Sequence, residues 1–282
     1  MSNENGSIEL RVRRRASDLR RELSARNLER AKVHAHELTF GEVPSIVYSK
    51  AESDVHGNFL SASYRRICAT PQWSRRLEKV YTGSKRIPWH MDRRRHELDC
   101  ATSSDALLMN VFCYPGVLKR MSVCAMLGVQ RDTQPEFGFR PRTPLFKGRI
   151  DRTEIDLKLD DLLIESKLTE NDFQAARPEL IRRYRDFDEV FDVESLPIVD
   201  GVVRSYQLVR NVLAAYALKC SFCVLCDGRR SDLIEDWYRI ISSVRQADLR
   251  CQLRTLTWQE LASTLSRVQQ SFLEEKYGIV AI

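Results

Sequence analysis

Asp156, Glu165 and Lys167 lie in one short segment, TEIDLKLDDLLIESKLTE, from Thr153 to Glu170. Two carboxylates set opposite one another can share a divalent cation. Mg²⁺ prefers an octahedron of hard oxygens and often takes only one or two protein carboxylates, leaving the other positions to water and a substrate phosphate. A lysine beside such a pair can hold or activate a water and offset phosphate charge. The alternative is a solvated sheet face on which Lys158 and Lys167 act as counter-charges.

The elements that would position these residues follow from the hydrophobic pattern. Ile155, Leu157 and Leu159 alternate with acidic and basic residues, and so do Leu162 and Ile164, which predicts two strands. Asp160-Asp161 is the turn between them, though Asp-Gly would suit it better. Residue 159 then pairs with 162, 157 with 164, and 156 with 165. Like charges directly opposed are destabilising, so removing one carboxylate should hold or raise stability in the absence of metal. Upstream, a helix is predicted over 103–113 with Ser103 or Ser104 as N-cap, then a short helix over 117–129 and a strand over 136–142. Downstream come a helix over 170–191 interrupted at Pro178, an amphipathic helix over 202–219 and an apolar strand in SFCVLCDG. A helix from about Asp232, a strand over 250–256 and a helix capped by Thr257 and Glu260 complete the order.

Asp156 followed by Glu165-Ser166-Lys167 on the next strand resembles the PD-(D/E)xK motif of the restriction-endonuclease-like nuclease superfamily. The proline that gives the motif its name is replaced by Ile155. The resemblance covers roughly residues 97–227. It implies an α/β fold with a restriction-endonuclease-like core: helix, three-strand meander, helix, strand. It also implies that Asp156 and Glu165 bind Mg²⁺ or Mn²⁺, that Ser166 lends its backbone carbonyl, and that Lys167 is the catalytic lysine. Gln207 matches a glutamine that many members carry near the site, although it also reads as a polar residue on an amphipathic helix. Glu97 matches an additional ligand of some relatives, although a loop carboxylate is the plainer reading. His90 and His96 read as ordinary surface residues. The implied activity is metal-dependent hydrolysis of a phosphodiester, most readily in DNA and fitting a restriction or defence role. A nucleic-acid-binding or assembly protein on a degenerate nuclease fold is the first alternative, and a structural α/β domain the second.

Composition bounds these expectations. The chain has 282 residues, 43% of them hydrophobic, enough for a sizeable core. No apolar run reaches transmembrane length and the N-terminus lacks a secretory h-region, so a cytoplasmic protein with no membrane role is expected. Its eight cysteines then read as reduced thiols. Cys220, Cys223 and Cys226 have a spacing that could hold a metal. On a buried strand, however, Cys223 would point away from the other two. Residues 1–95 hold 20 Lys and Arg against 11 Asp and Glu, a net +9, so the remainder of the +6 chain is mildly acidic. This charge asymmetry marks residues 1–95 as a basic, mainly helical region and 96–282 as the nuclease-like domain. Arg11, Arg13, Arg14, Arg15, Arg20 and Arg21 lie on a helix expected over 11–32. They suit a polyanion such as DNA, or else a solvated helix with internal ion pairs. A homodimer is left open.

Overall fold

The computed structural model describes residues 4–39, 44–50, 55–80 and 95–282, with side chains of the first helix described from Ala16 onward. The chain divides into two compact units. One joins 1–126 with 258–282 and the other holds 127–257. Residue 95, where the charge changes, falls inside the first unit. Tyr81, Trp89 and His90 lie outside the described residues.

In the first unit a helix runs from Glu4 to Ala31. Ala16, Leu19, Leu23, Asn27 and Ala31 are buried, a spacing of three or four residues that places them on one helical face. That face packs on the Arg267–Tyr277 helix. Asn27 donates to the Lys276 carbonyl at 3.1 Å and accepts from Lys276 Nζ at 2.8 Å. Lys276 is fully buried, and burial holds its amine well below the ordinary lysine range. Ser266 and Gln269 close a capping box ahead of this helix, one that the sequence pattern alone did not single out. The expected helix near 103–113 spans Ser104–Phe112, and the Ser103 hydroxyl accepts from Ala106 N at 3.1 Å.

The second unit is built on a five-stranded mixed sheet: β1 Glu136–Phe139, β2 Ile155–Leu159, β3 Leu162–Lys167, β4 Ser221–Cys226 and β5 Leu253–Thr257. The spatial order is β5-β4-β3-β2-β1. The first three strands form an antiparallel meander, while β4 and β5 run parallel to β3 and to each other. Leu157 faces Ile164 and Leu159 faces Leu162, the register expected from the alternation. Asp160 turns the chain with φ of +47°. β3 is buried along its whole length, as befits a central strand covered on both faces. Its core cluster includes Leu208 and Val212 from the Tyr206–Leu218 helix and Trp237 from the Ser231–Ser242 helix.

Three sequence expectations are corrected. Residues 170–191 form no single helix: they hold a two-residue strand at Ala175–Ala176 and single helical turns at Pro178–Ile181 and Phe187–Val190. Pro178 occupies the first helical position; Ile181, Phe187 and Val190 enter the core from the two separate helical turns, and Phe173 and Tyr184 from backbone outside them. Their helix-like spacing reflects burial, not helical periodicity. Val202–Arg204 is a strand paired with Ala175–Ala176 and Ile198–Val199, and the helix begins only after Ser205, whose φ is +57°. Residues Ala247–Gln252 are helical, which delays β5 to Leu253.

All eight cysteines are free thiols. Cys220, just before β4, and Cys226 on it share the core cluster with Phe222 and Val224, while Cys223 has the opposite strand parity. Among the described residues no helix is long and apolar enough to cross a membrane.

Candidate functional site

The site is set by the β2–β3 register and by one helix. Because Leu157 lies opposite Ile164, the next positions along the ladder are Asp156 and Glu165. Asp156 is half-buried, and its Oδ2 accepts from the Ser166 amide at 2.8 Å. This bond ties β2 to the backbone of the glutamate–serine–lysine segment.

Glu165 is 0% exposed and Lys167 6%. The solvated charge ladder is therefore not what these residues form. Glu165 Oε1 accepts from Lys167 Nζ at 2.7 Å and from Gln207 Nε2 at 2.6 Å, and Oε2 accepts from Asn211 Nδ2 at 2.8 Å. A carboxylate has about four lone-pair directions, and three are satisfied within the protein. The repulsion between Asp156 and Glu165 anticipated from the sequence is thus compensated before any metal enters.

Burial pushes the Lys167 ammonium toward neutrality, but Glu165, then Glu170 and Asp156, outweigh it and hold the group above the ordinary lysine range. Lys167 also lies 5.6 Å from the centroid of the Phe173 ring. It stays cationic throughout neutral pH. It can orient a water or offset phosphate charge but cannot accept a proton there. Its contribution to stability is full below the ordinary lysine pKa and is lost only as pH rises through the raised one.

Gln207 and Asn211 stand four residues apart on the Tyr206–Leu218 helix, so both reach from one face. Asn211 was missed in the sequence, where its offset from Gln207 was the available signal. Arg230 was missed too. It is buried, pairs with Asp232 at 2.8 Å, and donates to the Glu170 and Asn171 carbonyls at 2.6 and 3.2 Å. It thereby fixes the loop leaving β3. The Ser166 hydroxyl is buried without a partner, so the site uses this residue through its backbone.

The other residues singled out in the sequence lie in the first unit. Glu97 pairs with Lys79 at 2.8 Å, and Lys79 also reaches Asp105 at 3.0 Å. Burial and then Asp105 raise the Glu97 carboxyl above its ordinary range, with Lys79 opposing. Arg21 pairs with Asp18, and Arg20 is half-buried. The side chains of Arg11, Arg13, Arg14 and Arg15 lie outside the described residues.

Asp156 and Glu165 suit a hard divalent cation. Among the described residues no group of three or more His, Cys, Asp or Glu side chains gathers to hold a metal, so a closed protein cage is not offered. Mg²⁺, which keeps several waters, needs only one or two carboxylates. A cation at this point would compete with the Lys167 ammonium for Glu165 Oε1.

Asn211→Ala leaves Glu165 Oε2 without its donor and frees the carboxylate to turn. Outer-shell partners of this kind are worth roughly 10- to 100-fold in metal affinity. The variant is expected to bind Mn²⁺ that much more weakly in a calorimetric titration. An unchanged affinity would show that Asn211 does not set the carboxylate's orientation.

A family model described as "Restriction Endonuclease associating with ARP" (REase-ARP) matches residues 24–278. No curated protein and no solved structure matches the chain.

Proposed function

The chain belongs to this restriction-endonuclease-like family, and from that premise we propose that it is a Mg²⁺- or Mn²⁺-dependent nuclease hydrolysing phosphodiester bonds, most readily in DNA. A restriction role is in keeping with the family description. The observation that carries the reading is the buried Glu165–Lys167 pair on β3 beside Asp156 on β2. Burying a lysine and a glutamate together is a poor way to gain stability, because the desolvation cost rivals the attraction. Such a pair is better accounted for by chemistry.

In this reading Asp156 and Glu165 hold the cation, with the Ser166 carbonyl as a further oxygen. The cation would supply positive charge to the reacting phosphate. Gln207 and Asn211 keep the Glu165 carboxylate in one orientation. Lys167 orients the attacking water, and the proton lost by that water passes to solvent or phosphate. Water attacks phosphorus and the bond to the leaving sugar oxygen breaks. No alkaline fall in rate should be attributable to Lys167 below its ordinary pKa of about 10.4, since its folded value is raised.

The test incubates purified full-length protein with supercoiled plasmid, linear duplex and single strands in Mg²⁺, Mn²⁺ or EDTA. Cleavage with metal and none in EDTA is expected. Metal-independent cleavage, or binding without cleavage, would contradict the reading. A second arm replaces Arg11, Arg13, Arg14 and Arg15 with glutamine. We propose that these arginines bind phosphate, so the log–log salt slope of duplex binding should flatten by about 0.9 for each phosphate no longer neutralised. Deleting the helix would not serve, because Leu19, Leu23 and Asn27 form part of the core of the first unit. An unchanged slope would assign the arginines to the protein's own surface.

A further inference from the structure

Arg210 is 7% exposed. Among the described residues its one hydrogen bond runs from Nη2 to Asn211 Oδ1 at 3.5 Å, a long contact. Among the described residues no carboxylate oxygen lies within the 4.0 Å of an ion pair. A guanidinium has five donors and does not lose its proton in a protein. Leaving it buried with one weak bond is costly unless something else takes the charge.

Its surroundings indicate what that is. Arg210 sits on the same helix as Gln207 and Asn211, which hold Glu165. The Tyr206 ring lies beside it, with the guanidinium carbon 5.9 Å from the centroid. The Tyr206 hydroxyl is 3.2 Å from that of Tyr184, which donates to Asp151 Oδ2 at 2.5 Å. Asp151 also accepts from Thr153 N and Oγ1 at 2.9 and 2.5 Å, so its oxygens are committed to neutral donors and not to the arginine. Arg210 thus lies beside Tyr206 and within electrostatic reach of Asp151, and the Asn211 side chain it touches is the one that holds Glu165.

We propose that Arg210 is a phosphate-binding residue that takes the non-bridging oxygens of a nucleic-acid phosphodiester next to the one cleaved. This rests on reading the Asp156–Glu165 pair as the hydrolytic site. A planar fork of donors matches phosphate oxygens two at a time, and Tyr206 and Asn211 keep the fork from turning. Lysine cannot reproduce that geometry.

The competing explanation makes Arg210 the structural counter-charge of Asp151, whose carboxyl it helps to keep ionised. Equilibrium binding of labelled duplex and single-stranded oligonucleotides to full-length protein in EDTA separates the two. Arg210→Gln should weaken binding about tenfold and reduce the log–log salt slope by about 0.9 on duplex or 0.7 on single strands. Arg210→Lys should restore the slope but only part of the affinity. Without nucleic acid the Arg210→Gln thermal midpoint should hold or rise, because a buried unpaired charge has gone. In cleavage assays KM should rise with kcat largely kept. A folded Arg210→Gln protein with wild-type affinity and slope would overturn the proposal, as would wild-type protein that binds neither oligonucleotide. A fall in midpoint with unaltered binding would assign Arg210 to Asp151. Wild-type protein that binds through Arg210 yet cleaves nothing would retire the hydrolase reading and keep the subsite. Cleavage indifferent to Arg210 would do the reverse.

Discussion

Lys167→Met should sharply reduce cleavage and destabilise the metal-free protein together. The ammonium is the only charged partner of Glu165 among the described residues, at 2.7 Å, and both groups are buried. Removing one partner of a buried pair typically costs about 3–5 kcal/mol, because the other charge is left uncompensated. Gln207 and Asn211 still donate to Glu165, which places the expected loss nearer the lower figure. Cleavage should fall on the order of 10³-fold, the scale seen when a preorganised electrostatic group is removed. Mn²⁺ should nonetheless bind at least about tenfold more tightly, since a competing positive charge has left Glu165 Oε1. Chemical denaturation at neutral pH and a Mn²⁺ titration check these outcomes. A variant of wild-type stability that still cleaves would show that the pair is neither structural nor catalytic.

Asp156→Asn should separate chemistry from folding. Asp156 is half-buried, and its Oδ2 accepts from the Ser166 amide. An asparagine carbonyl can accept that bond as well. Stability should therefore stay within about 1 kcal/mol of wild type, as for substitutions that leave packing and hydrogen bonding in place. Cleavage should fall on the order of 10³-fold, because a neutral amide is a poor ligand for a hard cation. Thermal melts without metal and cleavage at saturating Mg²⁺ give the two readings. Loss of folding comparable to the Lys167 variant would place Asp156 in the scaffold instead.

The hairpin was legible in the sequence because its information is local. Period-two alternation set the β2–β3 register, and the register placed Asp156 beside Glu165. The Tyr206–Leu218 helix was legible through its amphipathic pattern, and Gln207 on it donates to Glu165. The balance of charge at the site was not legible. It depends on Asn211, 46 residues from Glu165, and on burial of both faces of β3, which a pattern of alternating charges hides. The sequence therefore predicted that deleting a carboxylate would relieve strain. The structure reverses that sign for Glu165, whose loss would strand Lys167. Residues 170–191 were misread for a related reason: core-facing residues on short, separate turns mimic the spacing of one continuous helix when tertiary packing dictates burial. Asp160 changes standing as well. The sequence placed it only at the turn, but its Oδ2 also accepts from Gln130 N at 3.0 Å and from the Thr133 hydroxyl. Asp161 is exposed and makes the better control.

The proposed cation shared by Asp156 and Glu165 is tested by calorimetric titration of metal-free protein with Mn²⁺, with Asp156→Asn and Asp161→Asn alongside. One Mn²⁺ per chain should bind to the wild type. Asp156→Asn should weaken that binding at least about tenfold, or 1.4 kcal/mol, and Asp161→Asn should leave it unchanged. Equal affinity in wild type and Asp156→Asn would contradict the claim.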